Sequence, residues 1–240
     1  MRIVTYISRE FIPCLALTLP SWICNAGATV MVYTDFQPLE SRALEQSPST
    51  VGFTRLWESP ARDKAEHWRR KIEVCAVANE AAGEGGPIWW LDADCVVTGR
   101  LTDPLHGHDI GVTRLINRGQ TGVRGGANGG VLCWSPSTRM IGWFERWGEM
   151  TEVFEREKHR YAEQDALSEM AVQCLDGLLP GYSVQILSER IWNCEDDRVP
   201  AWAGLVETYR PKIVHLKNGW WKRGDVWDVL DRVYGAEVAR

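Results

Sequence analysis

The chain has 240 residues, 45% apolar and 25% charged, enough to bury one sizeable core and ordinary for a soluble globular protein. A net charge of −5 argues against a general nucleic-acid coat, and no apolar run reaches the roughly 18 residues of a membrane span. Seven scattered cysteines, an odd count with no C-x-x-C pair, fit buried reduced thiols in a cytosolic protein better than a disulfide framework.

Residues 2–7 read as a first strand. Ser8 or Arg9 starts a helix with Phe11, Leu15, Leu19 and Ile23 at four-residue spacing. Pro13 suits its first turn, and Pro20 is expected to end or kink it. Ala26-Gly27-Ala28 resembles a signal-peptidase site, but Glu10 sits where a basic region belongs, both prolines interrupt the apolar run and a strand already precedes it. The segment is therefore read as part of the fold. Residues 29–33 form a second strand ending at Asp35, and this βαβ start begins a parallel sheet. An acidic residue there either meets a ribose or base, or caps a turn. Residues 36–60 read as loop with a short strand at 51–57. A helix over 61–82 turns Ala65, Trp68, Ile72, Cys75 and Ala76 inward. Its polar face carries Arg62, Lys64, Arg69, Arg70 and Lys71, either solvated or with Lys71 or Arg70 reaching a phosphate.

Ile88-Trp89-Trp90-Leu91 reads as a buried central strand, and it runs into Asp92-Ala93-Asp94. Open α/β sheets hold ligands beyond the carboxyl ends of their strands, so both carboxylates sit where ligands go and can share one hard divalent cation. Residues 95–97 and 109–112 are two further strands. Arg114, Arg118 and Arg124 lie among glycines in a loop, either a lid over an anion or plain surface. Asn128-Gly129-Gly130 is a turn into a strand where another group can approach the backbone closely. Ser135 as N-cap and Pro136 start a helix that buries Met140, Phe144 and Trp147, and residues 151–162 extend it or form a loop. Glu163-Gln164-Asp165 opens a helix with Leu167, Met170 and Cys174 at helical spacing, where the acids complement the dipole or serve chemistry. A strand at 182–187, an irregular acidic loop from Trp192, a strand at 212–216 and a helix at 225–234 follow, the last with Val226, Trp227, Leu230 and Val233 inward.

The order of these pieces resembles the GT-A fold of nucleotide-sugar glycosyltransferases, most closely the glycogenin and bacterial galactosyltransferase group. The residues that carry the resemblance are the βαβ start, Asp92-Ala93-Asp94, Asn128-Gly129-Gly130, Glu163-Gln164-Asp165 and His215-Leu216-Lys217-Asn218-Gly219-Trp220-Trp221-Lys222. The resemblance implies an α/β, Rossmann-like, mixed but mostly parallel central sheet flanked by helices. It implies one domain over 1–240, with a nucleotide-binding half at 1–100 and an acceptor half at 101–240. It implies Asp92, Asp94 and His215 as metal ligands, with Mn²⁺ favoured over Mg²⁺ because imidazole suits transition metals. Donor contacts fall on Thr5, Ser8, Asp35, Lys71, Asp92, Ala93 and Lys222, and acceptor or catalytic roles on Asn128, Glu163, Gln164 and Asp165. The group's late pattern is His-x-x-Gly-x-x-Lys-Pro-Trp; this chain has one more residue before Gly219 and no proline after Lys222. Glu163 stands where the group has Asp.

The expected activity is transfer of a sugar from a nucleotide diphosphosugar, a UDP-sugar first, to an acceptor hydroxyl. In an inverting enzyme Glu163 or Asp165 is the general base; in a retaining one they position sugar and acceptor. A glycan or lipid-linked sugar is the default acceptor. A hydroxymethylated DNA base, flipped from its stack, is the alternative suggested by the basic segments and the 13 tryptophans. A haloacid dehalogenase-type phosphatase would use Asp92 as nucleophile with Thr113, Lys158 and Asp196-Asp197, but 87 residues precede the strand and His215 would be idle. A non-catalytic nucleotide-sugar-binding module is the third alternative.

Overall fold

The structure, a computed structural model, describes residues 1–36, 50–83, 85–114, 126–195 and 199–235. Its strands are β1 (Arg2–Ile7), β2 (Thr29–Thr34), β3 (Val51–Arg55), β4 (Ile88–Leu91), β5 (Cys95–Val97), β6 (Ile110–Arg114), β7 (Ala127–Trp134), β8 (Val184–Leu187) and β9 (Ile213–His215). The helices are α1 (Ile12–Ala26), α2 (Lys64–Glu80), α3 (Thr138–Arg156), α4 (Ala162–Leu175), α5 (Glu189–Trp192), α6 (Val199–Tyr209) and α7 (Gly224–Tyr234). Hydrogen bonding orders seven strands as β3-β2-β1-β4-β7-β6-β8 and pairs β5 with β9 separately. β1–β2, β2–β3 and β6–β8 are parallel, whereas β6–β7 is antiparallel. The fold is thus α/β with a mixed, mostly parallel sheet, as the sequence implied.

The chain forms two compact units, each discontinuous: residues 1–60, 91–102 and 188–240, and residues 61–90 and 103–187. β9 returns to pair with β5 and brings the C-terminal segment into the first unit.

In the first unit α1 begins with proline in its first turn and ends at Gly27, whose left-handed φ of 62° costs a glycine little. The helix runs through Pro20 instead of stopping there. Its buried face is Cys14, Leu15, Thr18, Leu19, Ser21, Trp22 and Ala26, so Phe11 is left exposed, contrary to the four-residue spacing. The reason is polar. The Thr18 hydroxyl donates to the Ala93 carbonyl at 2.6 Å, the Trp22 indole to Cys95 O at 2.7 Å and the Asn25 amide to Val97 O at 2.8 Å, while Val97 N–H donates to Ser21 Oγ at 3.0 Å. These side chains satisfy the Ala93 carbonyl and the backbone of β5 on the flank β9 does not pair, which a buried strand requires. α6 fills part of what reads as irregular loop after Trp192; its Trp202 and Val206 join Val96, Val214, Trp220, Val226 and Leu230 in one apolar cluster.

In the second unit Asp63 caps α2 by accepting from Glu66 N–H at 2.8 Å. Arg70 and Lys71 are buried, not solvated: Glu66 pairs with Arg70 at 2.7 Å, and Glu163 with Lys71. α3 begins at Thr138 rather than Pro136, with Ser137 at its N-cap, because Asn79 brackets Ser137, accepting from its N–H at 3.1 Å and donating to its carbonyl at 2.8 Å. Met140, Phe144 and Trp147 are buried as the spacing implies, and the helix extends to Arg156. Eight of the 13 tryptophans (22, 89, 90, 134, 143, 147, 202 and 220) are core, so most of the surplus is packing rather than stacking surface.

Candidate functional site

A turn after β4 sets the positions of Asp92 and Asp94. Cys95 N–H donates to Asp92 O at 3.0 Å, closing Asp92-Ala93-Asp94-Cys95 into a β-turn, and Thr18 and Cys14 of α1 hold the Ala93 carbonyl from behind. Leu216 N–H donates to Asp94 O at 2.8 Å, so the end of β9 lies alongside the turn. That register brings in the imidazole. His215 Nε2 is 2.9 Å from Asp94 Oδ1 and 4.0 Å from Asp92 Oδ2. The imidazole is 3% exposed, whereas the Asp92 and Asp94 side chains keep 36% and 23% exposure.

The other ring nitrogen, Nδ1, lies 3.0 Å from Asn193 Oδ1 and 3.4 Å from Glu195 Oε2. Both partners are acceptors, so Nδ1 donates, and Nε2 is the atom aimed at the carboxylates. Burial alone would lower the His215 pKa, but the Asp94 carboxylate, by charge and by hydrogen bond, together with Glu195 holds it above the ordinary value. Two aspartate oxygens and an imidazole suit a borderline-hard cation such as Mn²⁺. In an octahedral site with bonds of about 2.1 Å, adjacent donors stand about 3 Å apart and opposed ones about 4 Å. His215 Nε2 stands at such distances from the two aspartates, and the ligand atoms that all lie within 4.8 Å of one another are those of Asp94, Cys95 and His215. A carboxylate behind the ligating imidazole, Glu195 here, is the usual means of orienting such a ring. Asn193 and Glu195 were not legible as site residues, since their segment shows only irregular acidic sequence.

Of the remaining expected donor contacts, Ser8 and Asp35 follow the C-terminal ends of β1 and β2, and Thr5 lies within β1. Thr5 and Ser8 are buried, and neither hydroxyl has a hydrogen-bond partner among the described residues. Asp35 is buried and accepts from the Tyr6 hydroxyl at 2.7 Å, and the Tyr6 ring meets Trp57 edge-on at 5.2 Å. Lys222 ends a 3₁₀ turn (Lys217–Lys222), is exposed and lies over the Trp221 ring at 4.8 Å. Its charge is felt at Cys14 together with those of Asp94 and Asp92. Lys217 pairs with Glu195 at 2.6 Å, and Trp220 is core.

In the second unit the acidic motif is differently placed. Glu163 Oε1 is 3.0 Å from Lys71 Nζ, both side chains nearly sealed. Lys71 also donates a short hydrogen bond to the Gly129 carbonyl and lies 5.2 Å from the Trp90 ring centre. Lys71 thus holds a protein carboxylate rather than standing open to a phosphate. A Cβ on Gly129 would fall 2.3 Å from Glu163 Oε1 and 2.8 Å from Lys71 Nζ, so this is the close approach the glycines signalled. The strand makes room by bulging: Val112 faces Leu132 but Thr113 faces Asn128, and Asn128 Oδ1 accepts from Gly130 N–H at 2.7 Å. Asp165 is half-exposed and 2.9 Å from His159 Nδ1, while the Gln164 carbonyl accepts from Ser168. Thr113 is buried with its hydroxyl on β7 carbonyls, which leaves it no phosphatase role; Asp196 and Asp197, like Arg118 and Arg124, lie outside the described residues.

No family model matches the sequence, and no curated protein matches it. Solved structures do. The glycosyltransferase GlyE of Streptococcus pneumoniae TIGR4 superposes with a TM-score of 0.59 at 15% identity over 99% of this chain. The chain spans 64% of that protein's length. A glycosyltransferase involved in glycosylation of the major capsid of PBCV-1 gives 0.57 at 14% identity, covering 95% of this chain and 98% of the other. An active-site mutant of LgtC gives 0.53 at 16% identity, covering 90% and 86%. The chain has the GT-A glycosyltransferase fold. No described helix is long and apolar enough to cross a membrane, and all seven cysteines are unpaired thiols.

Proposed function

We propose that the protein is a metal-dependent glycosyltransferase that moves a sugar from a nucleotide diphosphosugar, a UDP-sugar first, to an acceptor hydroxyl. The observation that carries this reading is the convergence of Asp92 and Asp94 on His215 Nε2. These three residues would hold a cation, which would supply Lewis-acid neutralisation of the diphosphate leaving group. Asn193 and Glu195 fix the imidazole so that Nε2 keeps its aim. Lys222 adds positive charge for the leaving group. Thr5 and Ser8 offer hydroxyls, and Asp35 a carboxylate, to the nucleoside.

On the acceptor side Asp165 and Gln164 orient the accepting hydroxyl, and Asn128 shapes the bulged strand. Glu163, committed to Lys71, positions these groups rather than taking a proton itself. A glycan or lipid-linked sugar is the acceptor class we favour. A DNA base has lost support, because Arg70 and Lys71 are buried and most tryptophans are core. The test is hydrolysis and transfer assayed across UDP-, GDP- and TDP-sugars with and without Mn²⁺. Mn²⁺-dependent turnover of one donor class supports the reading; phosphate release from simple sugar phosphates with no nucleotide-sugar turnover overturns it.

A further inference from the structure

One group beside the carboxylate turn has no part in this chemistry. Cys95 is fully buried and stands directly opposite His215 in the β5–β9 pair, so their side chains project from the same face. Ligand atoms of Asp94, Cys95 and His215 all lie within 4.8 Å of one another. The Cys95 backbone is pinned at both ends, its N–H to Asp92 O and its carbonyl to the Trp22 indole. Cys14, the neighbouring buried thiol, is instead turned to the Ala93 carbonyl at 3.4 Å.

We propose that Asp94, Cys95 and His215 form a second, soft coordination mode that captures a thiophilic divalent cation of the zinc and cobalt class and so blocks the hard-cation chemistry. This rests on the reading of Asp94 and His215 as metal ligands. Thiolate selects zinc-class ions where carboxylate alone favours Mn²⁺ or Mg²⁺, and one carboxylate, one thiolate and one imidazole are three of the four positions a tetrahedral ion needs. On capture the Cys95 S–H bond breaks, its proton leaves to solvent and a sulfur–metal bond forms, with no change of oxidation state.

The test titrates Co²⁺ into the full chain, Cys95→Ser and Cys14→Ser, reading the thiolate-to-cobalt charge-transfer absorption, with Mn²⁺ binding followed by loss of its free-ion paramagnetic signal. The wild type and Cys14→Ser should develop the band. Cys95→Ser should lose it and bind Zn²⁺ at least about tenfold more weakly, since losing even an outer partner of a ligand costs about that much. Its Mn²⁺ binding should be unchanged. A band that survives Cys95→Ser, or vanishes in Cys14→Ser, overturns the proposal. Co²⁺ bound with no thiolate band overturns it while leaving the hard-metal reading intact, whereas failure to bind either Co²⁺ or Mn²⁺ removes both. X-ray absorption of the wild-type zinc complex checks the same point without a variant: a sulfur neighbour supports the assignment, and a shell of nitrogen and oxygen alone contradicts it.

Discussion

Two acidic clusters, one in each compact unit, show what separates a carboxylate kept for a ligand from one kept for the fold. Asp92 and Asp94 retain partial exposure and lie 4.0 and 2.9 Å from one imidazole nitrogen of His215. Glu163 is sealed against a permanent cation, Lys71, beneath a glycine that admits nothing larger. Sequence alone places Asp92 and Asp94 beyond the end of an apolar strand and Glu163 at the opening of a helix, and offers both for chemistry. The partner decides: a buried ammonium keeps its charge beside a carboxylate, while an imidazole is a partner that can lose its proton.

The comparison is broken most severely at the sealed pair. Glu163→Gln leaves the Lys71 charge buried without its counterion, which costs about 3–5 kcal/mol. For a chain of this size each kcal/mol moves Tm by about 2–4 °C, so calorimetry should show a fall of roughly 10 °C. Replacing both partners, Lys71→Met with Glu163→Met, should recover much of that loss; if the double variant is as unstable as the single, the pair is not acting as a closed unit. Gly129→Ala comes next. Its Cβ would overlap Glu163 Oε1, and overpacking of this kind costs about 1–3 kcal/mol by denaturant melt. A smaller effect sharpens the other side. Thr18→Val removes the donor to Ala93 O and should cost about 1–2 kcal/mol. Because that carbonyl sits in the turn between the two aspartates, Mn²⁺ affinity should fall as well, an effect Gly129→Ala should lack if the two clusters are as different as described.

How much was legible follows the same division. β1, β2, β4 and β7 are short apolar or glycine-marked runs whose pattern matches their burial, so their positions could be read directly. The late histidine was legible because a recognisable pattern surrounds it. Asn193 and Glu195, which orient it, were not, since no periodicity marks a residue whose role is to face another side chain. Lys71 and Arg70 read as solvated or as reaching a phosphate because charge predicts exposure or a ligand unless a protein partner is known, and Glu163 and Glu66 are known only from tertiary structure. Leu15 and Leu19 of α1 are buried as their spacing implies, but Thr18, Ser21 and Trp22 escaped notice for a related reason: they face inward to serve the backbone of Ala93 and β5, a demand that hydropathy does not record.

The central claim is that Asp92, Asp94 and His215 grip one cation that in turn holds a nucleotide diphosphate. Thermal unfolding of the wild type and Asp94→Asn with saturating UDP, with and without Mn²⁺, tests it most directly. The account predicts that UDP at about 100 times its Kd adds about 2.7 kcal/mol, or roughly 5–10 °C, to the wild type only when Mn²⁺ is present, and nothing to Asp94→Asn. Equal stabilisation of both proteins by UDP, or a wild type indifferent to Mn²⁺, would contradict it.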